Sequence, residues 1–326
     1  MLPTVFGVVL NHNGQNWLPR CLESLLCSDY PALRVLLVDN GSTDRSLEIA
    51  RAVSPRVEIL ENGANLGFSA GNNAGIARAL SEGAGYVALL NNDTHFEPQW
   101  LRRLIEVGEA EPRLGVLGPA HFVFDGSAYN TWMTSAFSNR LAEIREHDRP
   151  GAWVPVEWVE GSCLVVKRAV FEQIGLLDPV FFAFYEESDF CRRARAAGFE
   201  VGLVPSSRFH HHRGGYYGQQ QVSRRREYLM LRSGLIYNST DPLASLPANV
   251  LALLLCDLTN LKASLLGASR LGVWLQVNGS LLAAWPAVYR KWQADRATVR
   301  RGAASRTPAA ALSRQAGGSD RLGHTP

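Results

Sequence analysis

The chain has 326 residues, 46% hydrophobic and 19% charged, which is the balance of an ordinary globular protein with one large domain or two smaller ones. A formal charge of +3 gives no whole-chain argument for nucleic acid, and five cysteines without a C-x-x-C pair make neither a disulfide framework nor a zinc site. A reducing compartment fits best. The first residues lack a basic segment and a long apolar run, so a signal peptide is not expected and a cytoplasmic protein is.

Residues 5–10 read as a buried strand ending in the polar turn Asn11-His12-Asn13-Gly14. Leu18, Leu22, Leu25 and Leu26 then recur at helical spacing, with Pro19 in the first turn, where proline is tolerated. A second strand, 35–38, runs into Asp39-Asn40-Gly41-Ser42-Thr43-Asp44. Ser42 or Thr43 is expected to cap the following helix, with Asp44 at its positive end. A third strand, 57–60, leads into a loop, 62–75, rich in glycine and asparagine, that opens a helix reaching Leu80. Small residues let a backbone approach a ligand, and free N–H groups at a helix start attract phosphate; a well-capped loop would account for the same residues. A fourth strand, 86–90, runs into Asn91-Asn92-Asp93, with a helical pattern from Gln99 onward. Strand–helix alternation implies right-handed βαβ units and a mostly parallel sheet flanked by helices, an α/β fold.

In such a sheet, ligands bind beyond the carboxyl ends of the strands. A lone carboxylate there, Asp93, can hold a divalent cation that phosphates also bind. An Asx turn capping the next helix is the plainer alternative.

Regularity loosens after Pro119, and residues 120–155 read as an insertion that shapes a substrate surface. Two short antiparallel strands are expected near 156–158 and at 164–166, then a helix over 168–174 stopped by Gly175. Glu186, Glu187 and Asp189 follow the aromatic run Phe181-Phe182-Ala183-Phe184-Tyr185 and open a helix closed by Gly198. Carboxylates suit a helix N-terminus on dipole grounds alone. A strand at 199–204 and a segment ending in His210, His211 and His212 follow.

From Arg224 the chain turns helical and basic. Residues 242–256 are uncharged and leucine-rich, but Asp257 interrupts them, short of the roughly 18 residues of a membrane span. An amphipathic piece, 271–290, carries Trp274, Trp285 and Tyr289. Basic, aromatic, amphipathic helices suit a membrane surface, and they equally suit packing on the domain or on a second subunit. The expected organisation is a domain over 1–223, amphipathic helices over 224–292 and a disordered tail over 293–326.

Read together, Val-Leu-Asn-His-Asn-Gly at 9–14, Val-Asp-Asn-Gly-Ser-Thr-Asp at 38–44, Asn-Leu-Gly-Phe-Ser-Ala-Gly-Asn-Asn at 65–73 and Leu-Leu-Asn-Asn-Asp-Thr at 89–94 form a set. Gly-Ser-Cys at 161–163, Phe-Phe-Ala-Phe-Tyr-Glu-Glu-Ser-Asp-Phe-Cys at 181–191 and His-His-Arg-Gly-Gly at 211–215 complete it. In this order the chain resembles a family 2 glycosyltransferase of the GT-A fold, close to the bacterial rhamnosyltransferase-like subgroup, over about residues 4–240.

The resemblance implies that Asn11 and Asp39 contact the nucleoside, with Asp39 on the base edge. It implies that Asn65, Gly67 and Asn73 line the nucleotide pocket and that Asn91, Asn92 and Asp93 stand where the family has its D-x-D-type motif. Asp93 and His211 would hold Mn or Mg, with His210 and His212 open as alternatives. Glu187, where the family usually has aspartate, would be the general base, with Glu186 and Asp189 also open. The implied reaction is inverting transfer of a sugar, rhamnose as the donor guess, from a nucleotide diphosphate. The acceptor would be a saccharide or lipid-linked molecule of cell-surface polysaccharide synthesis, met at the cytoplasmic membrane face.

Two other functions are compatible with a nucleotide-binding sheet. A sugar-nucleotide pyrophosphorylase would carry a glycine-rich loop with a basic tail after the first strand, which Asn11-His12-Asn13-Gly14 is not. A non-catalytic nucleotide-sugar-binding subunit of a membrane assembly differs from an enzyme in releasing no nucleotide on addition of acceptor.

Overall fold

The structure is a computed structural model, and it describes residues 2–123, 125–212, 224–265 and 268–304. Its strands are β1 (Val5–Asn11), β2 (Leu33–Asp39), β3 (Val57–Glu61), β4 (Tyr86–Asn91), β5 (Thr94–Phe96), β6 (Leu114–Phe122), β7 (Val154–Pro155), β8 (Cys163–Lys167) and β9 (Glu200–His211). The helices of the first half are α1 (Leu18–Leu26), α2 (Ser46–Val53), α3 (Gly67–Ser81), α4 (Trp100–Ala110), α5 (Thr131–Ala136) and α6 (Leu141–Glu146). Those of the second half are α7 (Arg168–Ile174), α8 (Glu186–Ala196), α9 (Arg224–Ser239), α10 (Leu246–Ser264) and α11 (Ala268–Ala304).

The strands form one sheet in the order β3-β2-β1-β4-β8-β6-β9-β5, with β7 also on β9. β3, β2, β1 and β4 run parallel, while β8 is antiparallel to both β4 and β6. β6 and β9 are parallel again. Both faces are covered, so the central strands are apolar at successive positions. Phe6 and Val8 enter one core with Leu36, Val38, Ile76 and Leu89. Val5 and Val9 enter the other with Leu22, Leu37, Leu90 and Trp100. Each such buried side chain contributes about 1.5–3 kcal/mol.

This is the α/β, GT-A architecture the sequence implies, with local differences. The stretch after Pro119 is not a wholly irregular insertion: β6 continues to Phe122, and α5 and α6 follow. The strand expected near 156–158 is instead the two-residue β7, which pairs antiparallel with β9. The two segments expected at 199–204 and 208–212 are one strand, β9, with a register shift where it passes Pro119 and Ala120 of β6. Asp44, and neither Ser42 nor Thr43, serves the start of α2: its Oδ1 accepts the Ser46 N–H at 3.0 Å. Ser42 and Thr43 are engaged across the loop by Asn11 and Asn13.

The last helices dock on the domain through Phe181, Leu235, Ile236, Val273, Val277, Leu281 and Val288. The expected boundary at 223/224 adjoins residues outside those described. α11 continues to Ala304, so the first residues assigned to the tail, from Gln293, are helical, and 305–326 lie outside the described residues. α10 corrects a further expectation. Asp257 does not break it, because its carboxylate accepts from Trp274 Nε1 at 2.9 Å and Asn278 Nδ2 at 3.1 Å. Over its 19 residues α10 is long and apolar enough to cross a membrane, by length and composition, and only 6% of its apolar 18-residue window is buried.

Candidate active site

The carboxyl ends of β1, β2 and β4 are joined by amides. Asn11, fully buried, donates to Asp39 Oδ1 at 3.1 Å and Ser42 Oγ at 3.0 Å. It accepts from Asn92 Nδ2 at 2.7 Å. Both ends of this amide are therefore used within the protein. The amide of Asn11, implied to contact the nucleoside, fixes Asp39 and Asn92 here. Gly14 makes this possible, since a Cβ there would lie 2.0 Å from Asn92 Nδ2 and 2.3 Å from Asn11 Oδ1. Asp39 also accepts the Ser42 N–H at 2.9 Å, and it is 2% exposed at the floor of the cleft.

The glycine–asparagine loop is held by Asn40, whose Nδ2 donates to Asn65 Oδ1 and to the Gly67 carbonyl. Gly67 has φ of +83°, and a Cβ would meet the Phe182 carbonyl at 2.5 Å. Its role is this close approach, which lets Phe68 N–H donate to Phe182 O at 2.6 Å. Asn73 is not in the cleft cluster. Its amide makes two bonds to the Leu177 backbone, at 2.8 and 3.1 Å, and so clamps α3 to the segment before α8.

Asp93 and His211 meet as the sequence implies. Antiparallel pairing of β5 with β9 sets Thr94 against His211, and the His212 N–H donates to Asp93 O at 2.9 Å. His211 Nε2 then lies 2.9 Å from Asp93 Oδ1. The neighbouring histidines face elsewhere: His210 Nδ1 bonds Val123 O, and the His212 ring stacks on Trp17. Among the described residues, no hydrogen bond of the Asn91 side chain enters this cluster; its carbonyl accepts from Thr94 Oγ1 at 2.6 Å.

Two members were not read from the sequence. His121, late in β6, and Glu160, just before Gly161-Ser162-Cys163, join His211, with ligand atoms all within 4.8 Å of one another. Glu160 Oε2 hydrogen-bonds His121 Nδ1, and its Oε1 is 3.8 Å from His211 Nδ1. Burial would raise the Glu160 carboxyl, but the two histidines overcome it and hold it at about 2. Burial would lower His211, and Asp93 with Glu160 raises it to about 9. Glu160 carried a signal, as the acid next to a recognised mark. His121 had none, lying where no period was legible.

Glu186 and Glu187 open α8. Phe184 and Tyr185 before them both have left-handed backbones, with φ of +68° and +67°. Consecutive non-glycine residues there are strained, and such strain collects at functional sites. The turn directs Glu187 to Gly161, where a Cβ would lie 3.5 Å from Glu187 Cβ. Burial lifts the Glu187 carboxyl to about 7, and the charge of Glu160 adds to the rise. Glu186 is more deeply buried and pushed up well above the carboxylate range, by burial and then by Glu187. Asp189 is fully buried, and Lys291, Arg193 and Arg192 hold it anionic, so its charge is already shared by three cations.

Among the described residues, buried polar atoms without a hydrogen-bond partner include Ser162 Oγ, Glu186 Oε2 and His211 Nδ1. Such atoms call for an explanation, and a bound ligand or ion supplies one. Carboxylate and imidazole donors with an unsatisfied buried nitrogen fit a divalent cation that shares its shell with phosphate oxygens.

Comparison with known proteins gives the same direction. The family model described as "Glycosyl transferase family 2" matches residues 8–175, just over half of the chain. An N-acetylglucosaminyl-diphospho-decaprenol L-rhamnosyltransferase of Mycobacterium tuberculosis is 32% identical over 223 residues, covering 58% of this chain and 70% of that one. A low-salt glycan biosynthesis hexosyltransferase of Haloferax volcanii is 31% identical over 176 residues, covering 51% and 55%. Among solved structures, the mannosyltransferase PcManGT of Pyrobaculum calidifontis, in complex with GDP-Man and Mn2+, superposes with a TM-score of 0.56 at 16% identity, over 94% of this chain and 87% of that one. TarS of S. aureus gives 0.58 at 14%, over 96% and 92%.

Proposed function

Because the chain belongs to glycosyltransferase family 2, we propose that it performs inverting transfer of a sugar, with rhamnose as the first candidate, from a nucleoside diphosphate to a saccharide or lipid-linked acceptor of cell-surface polysaccharide synthesis. The observation that carries the reading is Glu187: a carboxyl near neutrality, delivered by a strained turn to the edge of the Asp93–His211–Glu160 cluster.

In this reading Asp39 receives the base edge at the floor of the cleft, with Asn11 and Ser42 fixing its two oxygens. Asn92 is anchored by Asn11, and Asn65 and Gly67 set the loop that faces the nucleotide. Asp93 and His211 would hold Mn or Mg, and Glu160 and His121 stand within reach of the same ion. A bound divalent cation supplies positive charge against the departing diphosphate. Glu187 takes the proton from the acceptor hydroxyl as that oxygen attacks the anomeric carbon from the face opposite the nucleotide. A base near pH 7 is half deprotonated at neutrality and still basic enough to accept that proton. The relative from Mycobacterium tuberculosis supports rhamnose and a lipid-linked acceptor by its name. The exposed leucines of α10 support attachment to the cytoplasmic face of a membrane.

The test is a panel of nucleotide sugars in a coupled assay for released nucleoside diphosphate, with and without Mn. Release that depends on acceptor, metal and Glu187 is expected. Binding of every donor without release under any condition would leave a nucleotide-sugar-binding subunit.

A further inference from the structure

A groove of about 810 Å³ lies outside the cleft, between α9, α11 and the segment before α8. Its size falls in the usual range of ligand sites, roughly 300–1,000 Å³. Arg224, Arg225 and Arg232 line it, and among the described residues no carboxylate does. Each guanidinium has a different setting. Arg232 spends one N–H on the Val180 carbonyl at 2.8 Å, which fixes its plane. Arg225 stands over the Phe182 ring at 5.6 Å, and Arg224 is exposed at the start of α9. The rest of the wall is mainly apolar, from Val180, Phe182 and Leu229 on one side and alanines of α11 on the other. Charge of one sign beside apolar wall selects a ligand that is anionic at one end and greasy at the other.

We infer that this groove holds the diphosphate and first prenyl units of a polyprenyl-diphosphate-linked acceptor. The inference rests on the transferase reading and names its acceptor class. Three guanidiniums match a diphosphate, which presents several anionic oxygens to paired N–H donors. Two other features bear on the occupant. Phe182, in its wall, accepts from Phe68 of the nucleotide loop, and the chain reaches Glu187 five residues later. α10, packed beside α9 and α11, leaves Leu251, Leu254, Leu255 and Leu258 each more than half exposed.

The test is calorimetry on the full chain in EDTA, with farnesyl diphosphate, farnesol and inorganic pyrophosphate as probes. Farnesyl diphosphate is expected to bind best, and the Arg224→Ala/Arg225→Ala double variant to weaken it tenfold or more. Asp93→Ala should not change it, because the ion cluster lies elsewhere. Arg232→Lys, which keeps the charge and loses the fork, serves as a second variant if the double variant misfolds, and it should weaken the same probe. Equal binding of farnesol, loss only in Asp93→Ala, or unchanged binding in folded arginine variants would overturn the assignment. So would an arginine dependence seen with phosphatidylglycerol vesicles and not with farnesyl diphosphate. Metal-dependent nucleotide release surviving such a result would leave the transferase reading intact with another acceptor.

Discussion

Lys291, in α11, places its ammonium 2.9 Å from Asp189 Oδ1, with both side chains almost entirely removed from water. Arg193 holds the other oxygen at 2.8 Å, and Arg192 approaches at 3.2 Å. Asp178 and Asp295 complete the network on the Lys291 side. α11 is thereby locked to α8, the helix that opens with Glu187. Asp189→Ala leaves buried cations without their anion and is expected to cost about 3–5 kcal/mol in denaturant unfolding. Unfolding at the wild-type midpoint would show that the network adds no stability.

Glu187→Gln keeps shape and removes basicity. Turnover should fall about a hundred- to ten-thousand-fold, with donor binding retained. Wild-type kcat/KM should rise with pH through about 7. The stability effect has the opposite sign. The folded carboxyl ionises above its unfolded value, so its stabilising contribution is full below about pH 4.5 and is lost as pH rises through about 7. The glutamine variant should therefore melt higher than wild type at pH 8 and alike at pH 4. A dead Glu186→Gln beside an active Glu187→Gln would reassign the base.

Asp93→Ala removes the carboxylate that meets His211, and metal-dependent donor binding should disappear. The readout is calorimetry with Mn against chelator. A wild-type donor affinity that chelator leaves unchanged would exclude the ion from binding.

Gly14→Ala inserts a methyl group between Asn11 and Asn92. The bond joining β1 to the end of β4 must open, so donor affinity should fall at least tenfold while the two cores stay intact. Thermal melting alongside nucleotide titration separates the two effects.

α10 and α11 should hold the chain on anionic vesicles, with release by carbonate or high salt. Leu254→Asp together with Leu258→Asp should abolish flotation with vesicles. Extraction by detergent alone would instead mark α10 as a span, which its length and composition permit.

The sequence carried the sheet's first half because β1 to β4 alternate with helices, and each strand is an unbroken apolar run. It carried less of the second half. β5 is three residues long, β6 contains Gly115, Gly118 and Pro119, and β9 is made continuous by partners on both sides. The pairing of Asp93 with His211 was legible through motif order, although 118 positions separate them. The internal use of Asn11 and Asn73 was not, because an amide's partners are decided by tertiary contacts. Glu160 and His121 escaped for the same reason: neither lies on a periodic face, and β6 and the turn before β8 bring them together only in three dimensions.

Were the uncovered leucines of α10 to seat the protein on a bilayer, concentration would take on a different meaning. Once it sits on a bilayer, a membrane-borne acceptor is met by diffusion in a plane, and the local supply is set by its mole fraction among the lipids. Adding inert lipid at fixed acceptor would then slow turnover by surface dilution, though no molecule in the bulk had become scarcer. A soluble acceptor analogue would be blind to that dilution.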